Sequence, residues 1–400
     1  MYKKNNTKRI AIISIILLSG LNVDFQNLFG RILYSEIWCP FLIYIIRLCI
    51  VVYGVYSLVI RKMPIKSILV ISIYFLGVQI INFVNFAKGS MDSDIEYVHR
   101  IFSMTYLFLY YIVIISILKK NRNDFFQAMF ITGSSLMYVS LLLFFLKPEL
   151  GQFCERAGEY VLRGVSTNRN VVIEFWILGT IGLIGCGQTI NYKKVIWWMG
   201  TIPIQGMTKS GTGYIVMFIV LISLLVYKKG NCIFKIYINI AQLLIFLVYI
   251  VIGIFQIQLF QYVIVHILHK SPTMTGRLDI WAKDMKAIMD SILLGYGYDA
   301  WNNLKINYGI LAHDNSLIYF LIVSGILGGI LWIFVFSCSH INFWNASRIN
   351  IECASCVIGV LAYLVRGISE SVLSYPHIVP WIIFILLLTE NEKQRRKVSL

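Results

Sequence analysis

The chain has 400 residues, 58% of them hydrophobic and only 14% charged, with a mean hydropathy of +0.75. A soluble monomer of this length cannot enclose that much apolar surface, so a water-soluble globular fold is excluded and lipid is the solvent. The formal net charge of +16 lies in short clusters between apolar runs, which encodes membrane topology and argues against a nucleic-acid partner.

In lipid every backbone polar group must be satisfied within the chain, which leaves helices or a closed barrel. Barrel strands alternate apolar and polar residues, whereas Leu107 to Leu118 is one continuous apolar run. The predicted fold class is therefore an all-α polytopic membrane protein, a single integral membrane domain over 1–400. It has about 12 transmembrane helices and one large extracytoplasmic loop that contains an amphipathic helix.

The chain opens with Lys3, Lys4, Lys8 and Arg9 ahead of the apolar stretch Ile10 to Leu18. No A-x-A-like cleavage site follows, so this is read as an uncleaved first span rather than a signal peptide. Candidate spans lie near 10–29, 38–60, 67–87, 101–118, 125–146, 171–190, 195–207, 211–227, 234–258, 315–337, 353–369 and 372–389. The first and seventh are short or interrupted.

With the N-terminus cytoplasmic, alternate connections are basic. They carry Arg61, Lys62 and Lys66; Lys119, Lys120 and Arg122; Lys193 and Lys194; Lys228, Lys229 and Lys235; Arg348; and Lys393, Arg395, Arg396 and Lys397. Together with the N-terminal four, that places 20 of the 35 basic residues inside. Most acids, including Asp92, Asp94, Glu96, Glu155 and Glu159, fall outside. The pattern predicts an even number of spans with both termini cytoplasmic.

Two outer segments are long, 147–170 and 260–314. No Walker-type or Rossmann glycine motif is present, so nucleotide-driven chemistry is not expected. The pair Cys353 and Cys356 has no partner pair at metal spacing, and His266 and His269 have no evident third ligand. No metal and no cofactor are expected.

The larger outer loop has internal order. From Met274 to Ser291, apolar residues at 278, 281, 282, 285, 288 and 289 have helical spacing, with Thr275 as N-cap and Asp279, Lys283, Lys286 and Asp290 opposite. Two compatible readings stand: a helix lying on the bilayer surface, or a lid over a lipid-linked substrate. Arg277 in its first turn has the guanidinium fork that binds phosphate. Ile292 to Asp299 holds Gly295 and Gly297, a tight turn back toward the membrane. His313 follows at the water–lipid boundary beside Asp314 and Asn315, as a proton acceptor or as an interfacial side chain.

In the first outer loop Arg163 and Arg169 lie outside against the positive-inside trend, consistent with an anionic ligand or with ordinary surface charge. Lys209 and Ser210 sit in an outer turn rich in small residues, where backbone N–H groups could meet a phosphate. Arg47, Glu174, Arg366 and Glu370 fall within spans, and Arg366 and Glu370, four apart, have the spacing of an ion pair on one helix face.

Thr275-Gly-Arg-Leu-Asp-Ile-Trp281, Leu294-Gly-Tyr-Gly297 and His313-Asp-Asn-Ser316, in that order and outside, resemble the outer-loop signature of the O-antigen ligase and Wzy-type polysaccharide polymerase superfamily. Arg163-Gly with Asn168 and Asn170 is similar to that family's earlier loop, Thr208-Lys-Ser-Gly to its serine-arginine turn, and Leu364 to Glu370 to its penultimate span. The resemblance covers roughly residues 160–385. It implies metal-independent transfer of a glycan from an undecaprenyl-diphosphate donor to an acceptor hydroxyl at the outer face of the membrane.

By that match Arg277 holds the diphosphate and His313 is the general base. Arg163, Arg169, Lys209 and Ser210 are further diphosphate contacts, and Asp314, Asn315, Asn170, Glu370 and Arg366 support them. The chain departs from the family in the turn, where Gly211 stands in place of an arginine. The expected partners are the lipid-linked glycan donor and acceptor, membrane lipid and a chain-length regulator. The leading function is repeat-unit polymerisation for capsule, exopolysaccharide or O-antigen. The rivals are a ligase moving finished glycan to another acceptor and a flippase for lipid-linked sugars; a flippase would place its key residues near the membrane midplane.

Overall fold

A computed structural model describes residues 2–21, 38–60, 65–88, 94–154, 158–166, 168–187, 191–250, 277–297, 301–310, 315–345, 348–372 and 378–398. Among these the chain is almost wholly helical. The first helices are α1 (Tyr2–Gly20), α2 (Trp38–Ile60), α3 (Ile65–Ala87), α4 (Asp94–Leu146) and the short α5 (Pro148–Gly151). Two three-residue strands follow, β1 (Gln152–Cys154) and β2 (Tyr160–Leu162), paired antiparallel with Gln152 opposite Leu162. A 3-10 turn (Arg169–Val171) leads into α6 (Val172–Gly185), α7 (Tyr192–Met199), α8 (Thr201–Gly206), α9 (Gly211–Lys228) and α10 (Asn231–Ile250). The rest are α11 (Arg277–Asp290), α12 (Trp301–Tyr308), α13 (Ser316–Asn345), α14 (Ile351–Arg366) and α15 (Ile378–Val398).

Among the described residues, five helices are long and apolar enough to cross a membrane: α3, α4 from Arg100 onward, α9, α10 and α13. Tyr44–Ile60 and Ile378–Glu390 are shorter apolar helical stretches. The architecture is that of an all-α membrane protein. Several predicted spans differ from the helices found. Those near 101–118 and 125–146 do not: they are the two halves of α4, two helices that meet at a kink at Asn121, within the polar run Lys119 to Asp124. The one near 195–207 is split between α7 and α8 at Gly200. Those near 171–190 and 353–369 are α6, of 14 residues, and α14, of 16. A helix of 14 residues is about 21 Å long, less than a bilayer core. Every residue of α6 is buried in protein, so its ends need not reach water through lipid.

The core lies where α6, α14 and α15 meet α4. Trp381 of α15 packs against Tyr74 of α3, with ring centroids 4.4 Å apart, and against Tyr111 of α4 at 6.1 Å. Small residues bring α4 and α6 into backbone contact. A Cβ on Gly133 would come within 2.4 Å of Gly179 N, and one on Gly182 within 2.3 Å of Phe130 N. Without a hydrophobic drive between helices in lipid, such close approach is what supplies packing energy. The outer helices expose large apolar side chains, among them Leu76, Phe218, Leu225 and Leu243, as a lipid-facing surface requires.

The helix α13 breaks at Gly325, whose φ is 58° and ψ −164°. An unbroken helix would bond Ile326 N–H to Ile322 O and Leu327 N–H to Val323 O. Here the turn after α11 takes up all four groups. Tyr296 N–H donates to Ile322 O at 2.7 Å and Gly297 N–H to Val323 O at 2.8 Å. Ile326 N–H donates to Ile292 O at 3.0 Å and Leu327 N–H to Leu293 O at 3.3 Å. Both glycines at the junction are required. A Cβ on Gly295 would lie 2.4 Å from Ile322 O, and one on Gly325 2.3 Å from Leu293 C, and both have positive φ.

Substituting Gly325 by valine is expected to lower the unfolding temperature in detergent, at a cost of about 1–3 kcal/mol, and to open the segment around Leu293 to protease. Gly329→Val in the same helix, where a Cβ meets nothing within 4 Å, should leave both readouts near wild type.

Candidate functional site

Among the described residues, Asn170, Ser210, Asn315 and Glu370 of the predicted site meet at one end of the bundle through capping. Asn168 caps the 3-10 turn by accepting from Asn170 N–H at 3.2 Å, which fixes the Asn170 side chain. Asn170 Nδ2 then donates to Glu370 Oε1 at 2.7 Å, 200 residues away. Glu370 is beyond the end of α14, in a turn held by the start of α13. Ser316 Oγ donates to Glu370 O at 2.8 Å and accepts from Val372 N–H at 2.9 Å. Asn315 is fully buried. Its Oδ1 accepts from Leu317 and Ile318 N–H at 3.0 and 3.2 Å, capping α13, and its Nδ2 donates to Ile368 O at 3.1 Å.

The turn before α9 joins the same end. Thr212 Oγ1 and Ser369 Oγ share a hydrogen bond of 2.8 Å. Leu162 N–H donates to Met207 O at 3.0 Å, which ties this turn to β2. Ser210 is the N-cap of α9, accepting from Gly213 N–H at 3.3 Å. Lys209 has a positive φ of 49° and its ammonium pairs with Glu159, both side chains being exposed. The hydrogen bond from Lys209, then its charge, hold the Glu159 carboxyl below its ordinary pKa. The stabilisation from that shift is present at neutral pH and is lost as pH falls through the depressed value. Water screens the exposed pair, so an anion entering the turn could take Lys209 from Glu159. Arg163 is half-buried with its Nε donating to Ser166 O at 3.2 Å, and Arg169 is half-buried at the head of the 3-10 turn.

Beneath this surface Arg366 forms a buried ion pair with Glu174, their side chains 1% and 2% exposed. The pairing expected along one helix face, with Glu370, has no helix to carry it, because α14 ends at Arg366. Both partners also suit their helix ends. Glu174 is in the first turn of α6 and Arg366 in the last turn of α14, where the backbone partial charges favour an anion and a cation respectively.

The helix predicted in the large loop is α11, but its buried stripe is rotated from the expected one. Trp281, Asp284, Ala287 and Ile288 are buried, whereas Ala282 and Met289 are exposed. Its inner face packs on Leu304 of α12 and on Ile318 and Ile322 of α13. Lys283, Lys286 and Asp290 are exposed as predicted. Tyr308 Oη donates to Asp290 Oδ2 at 2.7 Å and shares a 2.7 Å hydrogen bond with Tyr296, locking α11, its turn and α12 together. Burial first, and then those two hydrogen bonds, push the Tyr308 phenol well above its ordinary pKa, so it stays a neutral donor.

Arg277 heads α11, and its position lies one helical turn before Trp281 and two before Asp284 on the same face. Its side chain, together with Thr275, His313 and Asp314, lies outside the described residues. Sequence reasoning missed three features: Asp284, the Glu174 partner of Arg366, and the break at Gly325. Only the last had a local signal, the cluster Ser324-Gly-Ile-Leu-Gly-Gly329 inside an apolar run. Among the described residues, no group of three or more His, Cys, Asp or Glu side chains is placed to hold a metal ion.

No family model matches the chain, and no curated protein or solved structure matches it either.

Removing one member of the buried pair strands the other. Arg366→Met or Glu174→Leu alone is expected to cost about 3–5 kcal/mol, while the double replacement recovers most of that loss. Thermal unfolding of the four proteins in detergent closes the cycle; additive losses would show that the pair is not coupled.

Proposed function

We infer that the protein is a membrane glycosyltransferase that joins undecaprenyl-diphosphate-linked oligosaccharide repeat units into capsular, exopolysaccharide or O-antigen chains. The observation that carries this reading is the meeting of four segments at one end of the bundle. They are the loop from Arg163 to Asn170, the Lys209–Ser210 turn, the Asn315–Ser316 cap and the Ser369–Glu370 turn. The residues of all four, in this order, were those whose pattern resembles the polymerase and ligase superfamily. The helix headed by Arg277 packs against the same α13 that Asn315 caps. In this reading the chain crosses the cytoplasmic membrane about 12 times, with both termini inside and this end of the bundle outside. The alternating basic connections support that orientation.

The chemistry follows from the residue types. The acceptor hydroxyl oxygen attacks the anomeric carbon, the bond from that carbon to the diphosphate oxygen breaks, and the lipid diphosphate leaves. His313 takes the hydroxyl proton, since a weak nucleophile needs a base within hydrogen-bond reach. Arg277, with Arg163, Arg169 or Lys209, stabilises the charge that grows on the leaving diphosphate. The energy of the reaction is already stored in the lipid–diphosphate linkage.

Reconstitution with lipid-linked repeat units tests this directly. His313→Ala is expected to slow chain growth about 10²- to 10⁴-fold, and Arg277→Ala about 10²- to 10³-fold. Normal elongation by both variants would sink the mechanism. Product joined only to a different acceptor would identify a ligase instead. At Gly211 a side chain would meet nothing within 4 Å, so Gly211→Arg should fold normally and keep or raise the elongation rate.

A further inference from the structure

Between α1, α2 and the middle of α4 lies an open crevice of about 470 Å³. That volume is within the range of small-molecule sites. Its walls are mostly aliphatic, from Ile12, Ile13 and Ile16 on α1, Ile46 and Ile50 on α2, and Val113 on α4, with Cys49 and the Tyr53 ring of α2 among them. Two polar residues, Arg9 and Asn121, close one end. A crevice this apolar in a membrane protein has no use for water.

The polar end is built. Asn121 is where α4 leaves helical geometry, with φ −134° and ψ 46°. Its Oδ1 accepts from Arg9 Nη1 at 3.1 Å, and Arg9 Nη2 donates to Asn6 Oδ1. Arg9 Nε is buried without a hydrogen bond among the described residues and forms a long ion pair with Asp124 Oδ2 at 3.6 Å, while the Arg9 side chain as a whole is 42% exposed. A guanidinium has five N–H donors, and two are used here. Asp124 pairs with Arg9; Glu352 and Glu390 are taken up by Arg122; and Lys8, before Arg9, and Lys119 and Lys120, before Asn121, are all three exposed. Taken together, these five cations and three carboxylates leave the mouth of the crevice positively charged.

We propose that this crevice binds one anionic phospholipid, its acyl chain between α1, α2 and α4 and its phosphate on the Arg9 guanidinium. The lipid would fill the gap that the break at Asn121 leaves between α1 and α4 and would hold α1 in place. This is independent of the proposed glycosyl transfer.

The full-length protein in nanodiscs of equal phosphatidylglycerol and phosphatidylcholine, released into native mass spectrometry, provides the test. Wild type should retain one phosphatidylglycerol per chain in preference to phosphatidylcholine. Arg9→Gln should lower that preference about fivefold, the effect of one basic residue at an anionic surface. Ile12→Trp and Ile45→Trp replace crevice residues that are 58% and 42% exposed, so the fold tolerates them; they should displace the retained lipid of either kind. Retention of the two lipids in their bulk ratio by wild type overturns the proposal. So does an unchanged preference in Arg9→Gln, or full retention in a folded tryptophan variant.

Discussion

The whole arrangement depends on one requirement: a backbone N–H or C=O removed from water must find a partner inside the protein. In most of this chain regular helices satisfy it. At Gly325 it is satisfied by exchange, where two helical hydrogen bonds are replaced by four to the turn from Ile292 to Gly297. The exchange couples an amphipathic helix to a membrane helix by backbone alone. A side chain at either glycine would separate the strands of that junction, so the position of α11 is set by backbone geometry rather than by its own apolar stripe. This explains why the buried stripe differs from the predicted one. The turn dictates the rotation of the helix, and Asp284 is carried inward with Trp281.

The same requirement organises the end of the bundle where the site residues gather. Helix ends have unpaired groups, and here side chains from remote segments cap them. Asn168, Ser210 and Asn315 each cap the element that follows, and Ser316 braces the turn after α14. The polar residues at this end are therefore both structural and chemical candidates. Asn170 and Glu370 bind each other, so each positions the other. Below them the Arg366–Glu174 pair joins α14 to α6 with both side chains buried, so its charges attract strongly but do not tolerate losing a partner.

The opposite polar cluster has a different logic. Arg122 bonds Glu352 at 2.6 Å, Glu390 at 3.3 Å and the Leu386 carbonyl at 3.0 Å, tying α4 to α14 and α15 just past the break at Asn121. The helix break thus lies between two arginines, Arg9 and Arg122, one locked among carboxylates and the other at the mouth of an apolar crevice. Arg9 is paired too, with Asp124, but at the longer distance of 3.6 Å.

Membrane residence and helical class were legible in the composition and in unbroken apolar runs, because the bilayer enforces both. The four segments that meet at one end of the bundle were singled out in the sequence, since their arginines, asparagines and glycines stand out in an apolar chain. Helix lengths were not legible, because a span buried in protein, as α6 is, escapes the thickness rule that defines a span in sequence. Pairings were not legible either. Spacing offered Arg366 only Glu370, four residues on, whose charge does act on it, whereas its hydrogen-bonded partner is Glu174, 192 residues away. Local pattern reports what one helix face could do. Which face meets which partner is decided only when several helices pack and their unpaired groups compete for the same few acceptors.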